Sequence, residues 1–243
     1  MNTPSPARLF DVLDATWPAA RVIQLGPWKL RQGNGGGQRV SATTVEGHFT
    51  EADISSAEDA MRDMNQRPLF MLRDTDMSLD HLLDARGYEV VDPVSVYLSP
   101  IENLTAKLPL TAAMPSWPPL AIQLEIWGAG GIGPARLAVM DRCDRPKTSI
   151  VGRTGDVPAG TAFAALDGDI AMVHAIEVHP EMRRHGVGRH LIQASANWAF
   201  EQSGAWLSLA VTRANGPAND LYRALGLEDV ARYHYRRMPE PRS

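Results

Sequence analysis

The sequence predicts an α/β protein whose sheet is mixed, mostly antiparallel and flanked by helices. Three observations support this fold class. An apolar run suited to a buried strand, residues 170–178, leads into a glycine-containing loop and an amphipathic helix. Short apolar segments separated by turn residues come before it. Each half of the chain also contains a helix that stops at a glycine and is followed by a strand.

The elements of the first half are indicated by apolar spacing and by breaking residues. Helices are expected at 7–15, 56–66 and 79–86. Strands are expected at 28–31, 39–44, 69–72 and 89–98. The first two strands are expected to form a hairpin around Gly33–Gly37, and Gly87 is expected to end the last helix.

The second half shows a regular order of elements. Strands are expected at 121–127, 147–153, 160–166, 171–178, 206–211 and 231–237. Helices are expected at 132–141, from 187 onward, and at 218–225. In the first of these strands Ile122, Leu124 and Ile126 alternate with polar residues, which is typical of a half-buried strand. Turn residues at 155–156 and 167–169 separate the middle strands.

The loop after residue 178 is the most informative segment. Pro180 ends the strand because proline has no N–H to donate to a ladder. Residues 183–188 then read Arg-x-x-Gly-x-Gly, where x is any residue. One stripe of the following helix is formed by Val187, Leu191, Ser195, Trp198 and Ala199.

This loop has the chemistry of a diphosphate site. The first N–H groups of a helix have no intrahelical partners and lie at the positive end of its dipole, so they attract anions. Gly186 and Gly188 allow an oxygen to approach the main chain, and Arg183, Arg184 and Arg189 add positive charge. No Lys-Ser or Lys-Thr follows the glycines, so the segment is not a Walker loop.

Two segments carry a family resemblance. Val178–Gly188 resembles the pyrophosphate-binding motif of the GNAT superfamily of acetyl-CoA-dependent N-acetyltransferases. Asn215–Leu227 resembles the family's Asn-x-x-Ala-x-x-Leu-Tyr-x-x-Leu-Gly-Phe, with Leu227 in place of the usual phenylalanine. The resemblance covers about residues 117 to 238. It implies a GNAT fold in the second half and an acyltransferase that moves an acetyl group from acetyl-CoA to a primary amine by direct attack.

The resemblance also implies which residues hold acetyl-CoA as co-substrate. The backbone of Ile176 and Val178 is expected to pair with the pantetheine arm, and Asn215 is expected to bond the same region. The diphosphate is expected on the loop residues Arg183, Arg184, His185, Gly186, Val187, Gly188 and Arg189.

Three residues are candidates for the chemistry. Tyr222 matches the family tyrosine that can protonate the leaving thiolate; the alternative is a tyrosine packed in the core. His174 is expected to share a strand face with Ile176 and Val178 and could accept a proton, unless it is a core histidine bonded to a carbonyl. Glu177 is expected on the opposite face, as an alternative base or amine-binding carboxylate. Many members of the family use only a chain of waters.

A proline-rich stretch, residues 109–119, divides the chain. We expect a smaller, degenerate GNAT-like α/β domain at 1–108 and the catalytic GNAT domain at 117–243. The segment 82–88 is similar to the segment 221–227: each has a helix end, a glycine, an aromatic or apolar residue and then a strand. Such a repeat is found in GNAT proteins built from two folds in tandem. The first half has no Arg-x-x-Gly-x-Gly segment, so no coenzyme site is expected there. The alternative is an unrelated small α+β domain.

Two other functions remain open. Gly128–Gly133 fits Gly-x-Gly-x-x-Gly between a predicted strand and a predicted helix, and Arg153 ends the next strand, as in an NADP-dependent oxidoreductase. The alternating strand, the short helix and the hairpin connections speak against that interpretation. The other alternative is a non-catalytic acyl-CoA-binding module.

Composition limits the partners. A net charge of −4 gives no argument for nucleic acid. Cys143 is the lone cysteine, which excludes an intramolecular disulfide, and the spacing of His179, His185 and His190 does not fit a metal site. With no basic, apolar leader and no long apolar run, a cytoplasmic protein without membrane partners is expected. The acceptor is expected to be a small-molecule or peptide amine. No oligomeric state follows from these patterns.

Overall fold

The computed structural model describes residues 2–239. It combines helices with a mixed sheet, which confirms the predicted fold class. The chain forms two compact units, each assembled from several segments. The first unit contains the described residues up to Pro18, 96–211 and 215–230; the second contains 19–95, 212–214 and the described residues from 231 onward. Residues 1 and 240–243 of the expected domains lie outside the described residues.

The first unit carries most of the helices. These are α1 (Pro6–Thr16), α4 (Ala121–Ala129), α5 (Pro134–Arg142), α6 (Val187–Glu201) and α7 (Gly216–Ala224). Its strands include β6 (Ala113–Ser116), β7 (Lys147–Thr154), β8 (Val157–Asp167), β9 (Ile170–Val178) and β10 (Trp206–Thr212). The strand order runs β10-β9-β8-β7-β6. The β9–β10 pair is parallel, and the pairs from β9 to β6 are antiparallel.

The second unit has a small sheet with the order β1-β2-β3, formed by Arg21–Leu25, Trp28–Gln32 and Thr44–Val45. It also contains α2 (Glu51–Asp63), β4 (Leu69–Arg73) and α3 (Met77–Ala85). Parts of β5 (Glu89–Pro100) and β11 (Glu228–Arg237) belong to it, with the order β4-β11-β5.

Side-chain caps define several helix starts. The Ser5 hydroxyl accepts the Arg8 N–H at 3.3 Å before α1, and Pro6 occupies the first turn, where its missing N–H is not needed. The Asp53 carboxylate accepts the Thr50 N–H at 2.7 Å in the capping box of α2. The capping box starts α2 at Glu51, whereas the apolar spacing predicts a start at residue 56.

Helix α6 packs closely on the strands of the first unit. Its buried residues Val187 and Leu191 belong to the main core cluster. A Cβ added at Gly160 of β8 would lie 2.9 Å from Val187 Cγ1 and 2.8 Å from the Glu177 carbonyl oxygen. Glycine at this position therefore lets the first turn of α6 approach the sheet.

The segment 121–127 is helical, so the predicted strand is wrong there. Its buried residues are Gln123, Ile126 and Trp127, which follow the i, i+3, i+4 spacing of a helix. Gln123 is fully buried because its amide donates to Thr161 Oγ1 at 3.0 Å and its carbonyl accepts the Ser149 hydroxyl at 3.1 Å. The sequence shows apolar and polar residues alternating in this segment whether Gln123 is exposed on a strand or buried in a helix. The alternation therefore did not distinguish the two structures.

The expected hairpin around Gly33–Gly37 is confirmed only in part: β2 pairs antiparallel with β3 at Trp28–Val45 and Lys29–Thr44, but the second strand begins at Thr44 and not at residue 39. Strand β2 also forms a tight hairpin with β1, which ends at the pair Leu25–Trp28. The turn of this hairpin contains Gly26, which has a φ of +54°. Residues 38–40 form a short 3-10 turn instead of a strand. Strand β1 reads Arg-Val-Ile-Gln-Leu, in which apolar and polar residues do not alternate strictly, and most of it is exposed.

Candidate functional site

Strands β9 and β10 separate partway along their length. Their parallel pairing runs from Ile170–Trp206 to Val173–Leu209, whereas β9 continues to Val178 and β10 to Thr212. On its other side β9 stays paired with β8 as far as Gly160–Val178. The last residues of β9, Ile176 and Val178 among them, thus lie beyond the end of the parallel ladder. An edge of this kind can pair with an extended ligand.

A β-bulge interrupts β9 at the same place. The register of β8 and β9 shifts between Thr161 and Phe163, and Ala175 has a φ of +50°. The Ala175 carbonyl accepts the Trp127 indole N–H at 2.7 Å, which stabilises the bulge.

The bulge reverses the expected faces of β9. His174 lies opposite Phe163 and Glu177 lies opposite Thr161, so the two share one sheet face. Ile176 and Val178 pack on the other face with the core cluster that includes α6. The predicted sharing of a face by His174 with Ile176 and Val178 is therefore wrong, because one extra residue shifts the alternation.

The loop and α6 follow β9 as the sequence predicts. Residues 180–182 form a 3-10 turn, Arg184 has a φ of +68°, and Gly186 precedes α6 with a φ of +80°. This left-handed conformation favours glycine. The first N–H groups of α6 thus lie beside a loop in which Arg183, Arg184 and His185 are exposed.

Arg183 connects this loop with the end of β9. One of its terminal guanidinium nitrogens lies 3.8 Å from Glu177 Oε1. Its Nε donates to the Val178 carbonyl at 3.4 Å. The Arg183 side chain is 61% exposed, so most of its charge remains accessible from solvent.

Glu177 occupies a half-buried position. Its side chain is 22% exposed and lies beneath Gly130, where an added Cβ would be 2.5 Å from Glu177 Cδ. Burial raises the pKa of this carboxyl group, while the Arg183 charge and a hydrogen bond from the Val178 N–H oppose the rise. The net result is a carboxyl group whose pKa lies above the ordinary value.

His174 is more deeply buried than Glu177. It is 3% exposed, and its Nε2 lies 2.8 Å from Thr16 Oγ1. The Thr16 hydroxyl also lies 2.6 Å from the Val12 carbonyl, so it links the imidazole to the backbone of α1. The ring centroid lies 5.0 Å from that of Trp17. His174 therefore packs against α1.

Tyr222 lies in the core cluster at α7 and is 5% exposed. Its ring centroid is 5.7 Å from that of Tyr97, whose hydroxyl donates to Asn219 Oδ1 at 3.0 Å. Burial, and to a lesser extent the neighbouring Tyr97, raises the pKa of Tyr222, so it remains a neutral phenol. Asn215 caps α7, because its side chain accepts the Ala218 N–H at 3.3 Å.

The structure brings the loop, the end of β9 and α7 to one region. Gly188 of α6 lies against Leu221 of α7, where an added Cβ would be 3.0 Å from Leu221 Cδ2. Sequence reasoning missed Thr16, Trp127 and Gly130 as neighbours of β9. Each is more than 40 residues away along the chain, so no local pattern could have identified it.

Among residues 2–239, no group of three or more His, Cys, Asp or Glu side chains is arranged to hold a metal ion. Within that same part of the chain, none of the helices is both long and apolar enough to cross a membrane.

Sequence comparison relates the chain to known proteins. Residues 117–227 match the acetyltransferase (GNAT) family. A stretch of 78 residues is 36% identical to streptothricin acetyltransferase from Streptomyces lavendulae, covering 31% of this chain and 41% of that protein. The match therefore spans less than half the length of that relative.

Structural comparison gives a similar result. The fold is similar to a GCN5-related N-acetyltransferase from Kribbella flavida, with a TM-score of 0.74, 18% identity and 98% of both chains covered. It is also similar to the tandem GNAT protein from the clavulanic acid biosynthesis pathway, with a TM-score of 0.64 and 14% identity, covering 100% of this chain and 90% of that one. These likenesses confirm the predicted GNAT fold.

Proposed function

Because residues 117–227 belong to the acetyltransferase (GNAT) family, we propose that this chain transfers an acetyl group from acetyl-CoA to a primary amine. The observation that carries the proposal is the junction of β9 and α6. There an unpaired strand edge leads into a loop with exposed arginines and the N-terminus of a 15-residue helix. An extended coenzyme with a diphosphate needs both features side by side.

The residues present fit such a coenzyme. A Cβ added at Gly186 would have His190 Cε1 as its nearest neighbour, at 3.7 Å, so the space beside this glycine is open. The diphosphate is assigned to Arg183, Arg184, His185, Gly186, Val187, Gly188 and Arg189. The pantetheine arm is assigned to the backbone of Ile176 and Val178 and to Asn215.

Glu177 is the favoured proton acceptor. The coenzyme supplies an activated acetyl thioester, and the amine must lose a proton when it attacks. A carboxylate accepts that proton efficiently when its pKa is near the working pH, and burial raises the pKa of Glu177 in that direction. Its partial exposure keeps it within reach of an acceptor.

His174 is the second candidate for the base. Histidine is a common general base in enzymes. Its burial and its hydrogen bond to Thr16 favour a packing role instead.

Tyr222 is proposed as the group that donates a hydrogen bond, and then a proton, to the leaving thiolate. Burial raises the pKa of the phenol, so it stays protonated and can donate the hydrogen bond, while the same rise makes it a weaker acid for full proton transfer. It lies in the core cluster that also contains Val187 of α6.

The acceptor class is proposed from the relative. The name of the Streptomyces lavendulae protein identifies streptothricin as its substrate, so small-molecule amines are the first class to test, before peptide amines. A cytoplasmic location and the absence of nucleic-acid and membrane partners remain part of the proposal. The domain limits 1–108 and 117–243 do so as well, with no coenzyme site in the first half.

In the described part of the chain, the structure lacks the strand before Gly128–Gly133 that the oxidoreductase alternative requires. Gly128 lies in the last turn of α4 and Gly130–Gly133 connect α4 to α5, so a helix and not a strand precedes the glycines. A dinucleotide fingerprint requires a strand at that place.

The test is thioester consumption with acetyl-CoA and a panel of amines. We expect consumption that depends on the amine. Gly186→Val should abolish CoA binding, because the loop needs a left-handed residue there, and circular dichroism should show a folded protein. CoA binding without amine-dependent consumption would instead indicate a non-catalytic acyl-CoA-binding module. Unchanged CoA affinity in folded Gly186→Val would refute the loop assignment.

A further inference from the structure

The contact between Arg183 and Glu177 joins two parts of the site that have separate roles in the proposed function. Arg183 belongs to the loop assigned to the diphosphate, whereas Glu177 belongs to the strand face assigned to the amine. The guanidinium and carboxylate are 3.8 Å apart, and the arginine is 61% exposed while the glutamate is 22% exposed. An ion pair of this length with one exposed partner is weak and can be exchanged for a better one.

The carboxylate is held from several sides. The Val178 N–H donates to it, Gly130 leaves the space that it fills, and Thr161 lies opposite on β8. Neither Gly130 nor Thr161 carries charge. His174 is the other titratable group on this face of β9, and its Nε2 bonds Thr16. The guanidinium of Arg183 is therefore the charge that acts on Glu177.

Arg183 has more than one acceptor within reach. Its Nε already donates to the Val178 carbonyl at 3.4 Å, at the point where the strand enters the loop. A diphosphate at the α6 N-terminus would offer it a doubly charged, multidentate acceptor, which arginine binds more strongly than a single distant carboxylate oxygen.

We propose that Arg183 is a positioning residue shared between Glu177 and the coenzyme diphosphate, so that coenzyme binding releases the Glu177 carboxylate to serve the amine. This inference rests on the proposed function. Only a proton moves in the step: it leaves the amine nitrogen and is bound by a Glu177 carboxylate oxygen.

The sign of the effect follows from the charges. Arg183 lowers the pKa of Glu177 against the larger, opposite effect of burial. When the diphosphate takes over the guanidinium, that lowering is lost and the pKa of Glu177 rises further. Coenzyme binding should therefore be accompanied by proton uptake at Glu177 when the pH is near its titration midpoint.

The experiment is calorimetry of CoA binding in two buffers with different ionisation enthalpies, at the Glu177 midpoint found by ¹³C NMR. We expect wild type to take up more protons than Glu177→Gln, which serves as the reference for protons taken up by CoA itself. Arg183→Gln should lose this difference. The matched control Arg184→Gln removes a neighbouring charge that is also assigned to the diphosphate, so its CoA affinity should fall while the difference in proton uptake from Glu177→Gln remains.

A second measurement covers the case in which Arg183→Gln binds CoA too weakly for calorimetry. In the free protein, ¹³C NMR should show the Glu177 midpoint shifted to higher pH in Arg183→Gln, restored in Arg183→Lys and unshifted in Arg184→Gln. Equal proton uptake by wild type and Glu177→Gln would overturn the inference while leaving the coenzyme assignment intact. Absence of CoA binding by the wild-type protein would overturn the proposed function as well.

Discussion

Burial distinguishes the candidate bases at the scale of single residues. Glu177 keeps part of its side chain exposed and lies next to the loop proposed to hold the coenzyme, whereas His174 is 3% exposed and shares a hydrogen bond with Thr16. A base must reach solvent or substrate to exchange its proton. This contrast favours Glu177 although histidine is the commoner general base.

The pH dependence of kcat/KM tests that assignment. Protonated Glu177 cannot accept a proton, so activity should fall as the pH drops through its pKa, which burial places above the ordinary glutamate value. Glu177→Gln should remove this acidic limb, and His174→Gln should leave it in place. A limb that persists in Glu177→Gln and disappears in His174→Gln would assign the base to His174.

Tyr222→Phe tests the leaving-group acid. The ring that packs against Tyr97 remains, so the fold and CoA affinity should be retained while kcat falls by about 10² to 10⁴-fold. The matched control is Tyr97→Phe. This substitution removes the other hydroxyl of the same aromatic pair, and with it the hydrogen bond to Asn219. Full turnover by Tyr222→Phe in steady-state assays contradicts the acid role.

At the scale of elements, the site depends on how closely α6 approaches β8 and β9. The approach is possible because Gly160 presents no side chain to Val187, and it places the helix N-terminus beside the separated strand edge. The site also depends on the bulge at Ala175, because the bulge directs the Glu177 side chain toward Gly130.

Gly160→Val is expected to destabilise the protein. Its side chain would meet the Glu177 carbonyl and Val187 at less than 3 Å, and overpacking of this kind costs about 1–3 kcal/mol. The control is Gly128→Ala in α4, where an added Cβ meets no atom of the described residues within 4 Å and alanine favours the helix. Urea denaturation gives both free energies of unfolding; equal values for the two variants would argue against a tight α6–sheet contact.

At the scale of the whole molecule, the two units differ in what they offer a coenzyme. The separated strands, the loop and α6 all belong to the first unit. The chain segment 1–108 has no second Arg-x-x-Gly-x-Gly loop.

We therefore expect one CoA to bind per chain. Isothermal titration calorimetry should give a stoichiometry near one for the full-length protein, and Gly186→Val should abolish the signal. Two equivalent sites, or a residual site in Gly186→Val, would place a coenzyme site elsewhere in the chain.

The sequence by itself determined the features that lie in contiguous residues. The loop from Arg183 to Gly188 and the start of α6 follow from glycines, charges and helix-end chemistry within a few positions. The turn at Gly168 between β8 and β9 was predicted in the same way. Such signals are local, so no distant partner is needed to interpret them.

The tertiary structure decided what depends on distant contacts. The single extra residue at Ala175 reversed which side chains of β9 face α1 and α4. The Ala175 carbonyl accepts a hydrogen bond from Trp127, which lies in a helix that the sequence predicted as a strand. His174 became a core residue because Thr16 and Trp17 lie against it. The alternation of side chains along a strand is a local pattern. It cannot predict a bulge that is stabilised by a residue 48 positions away.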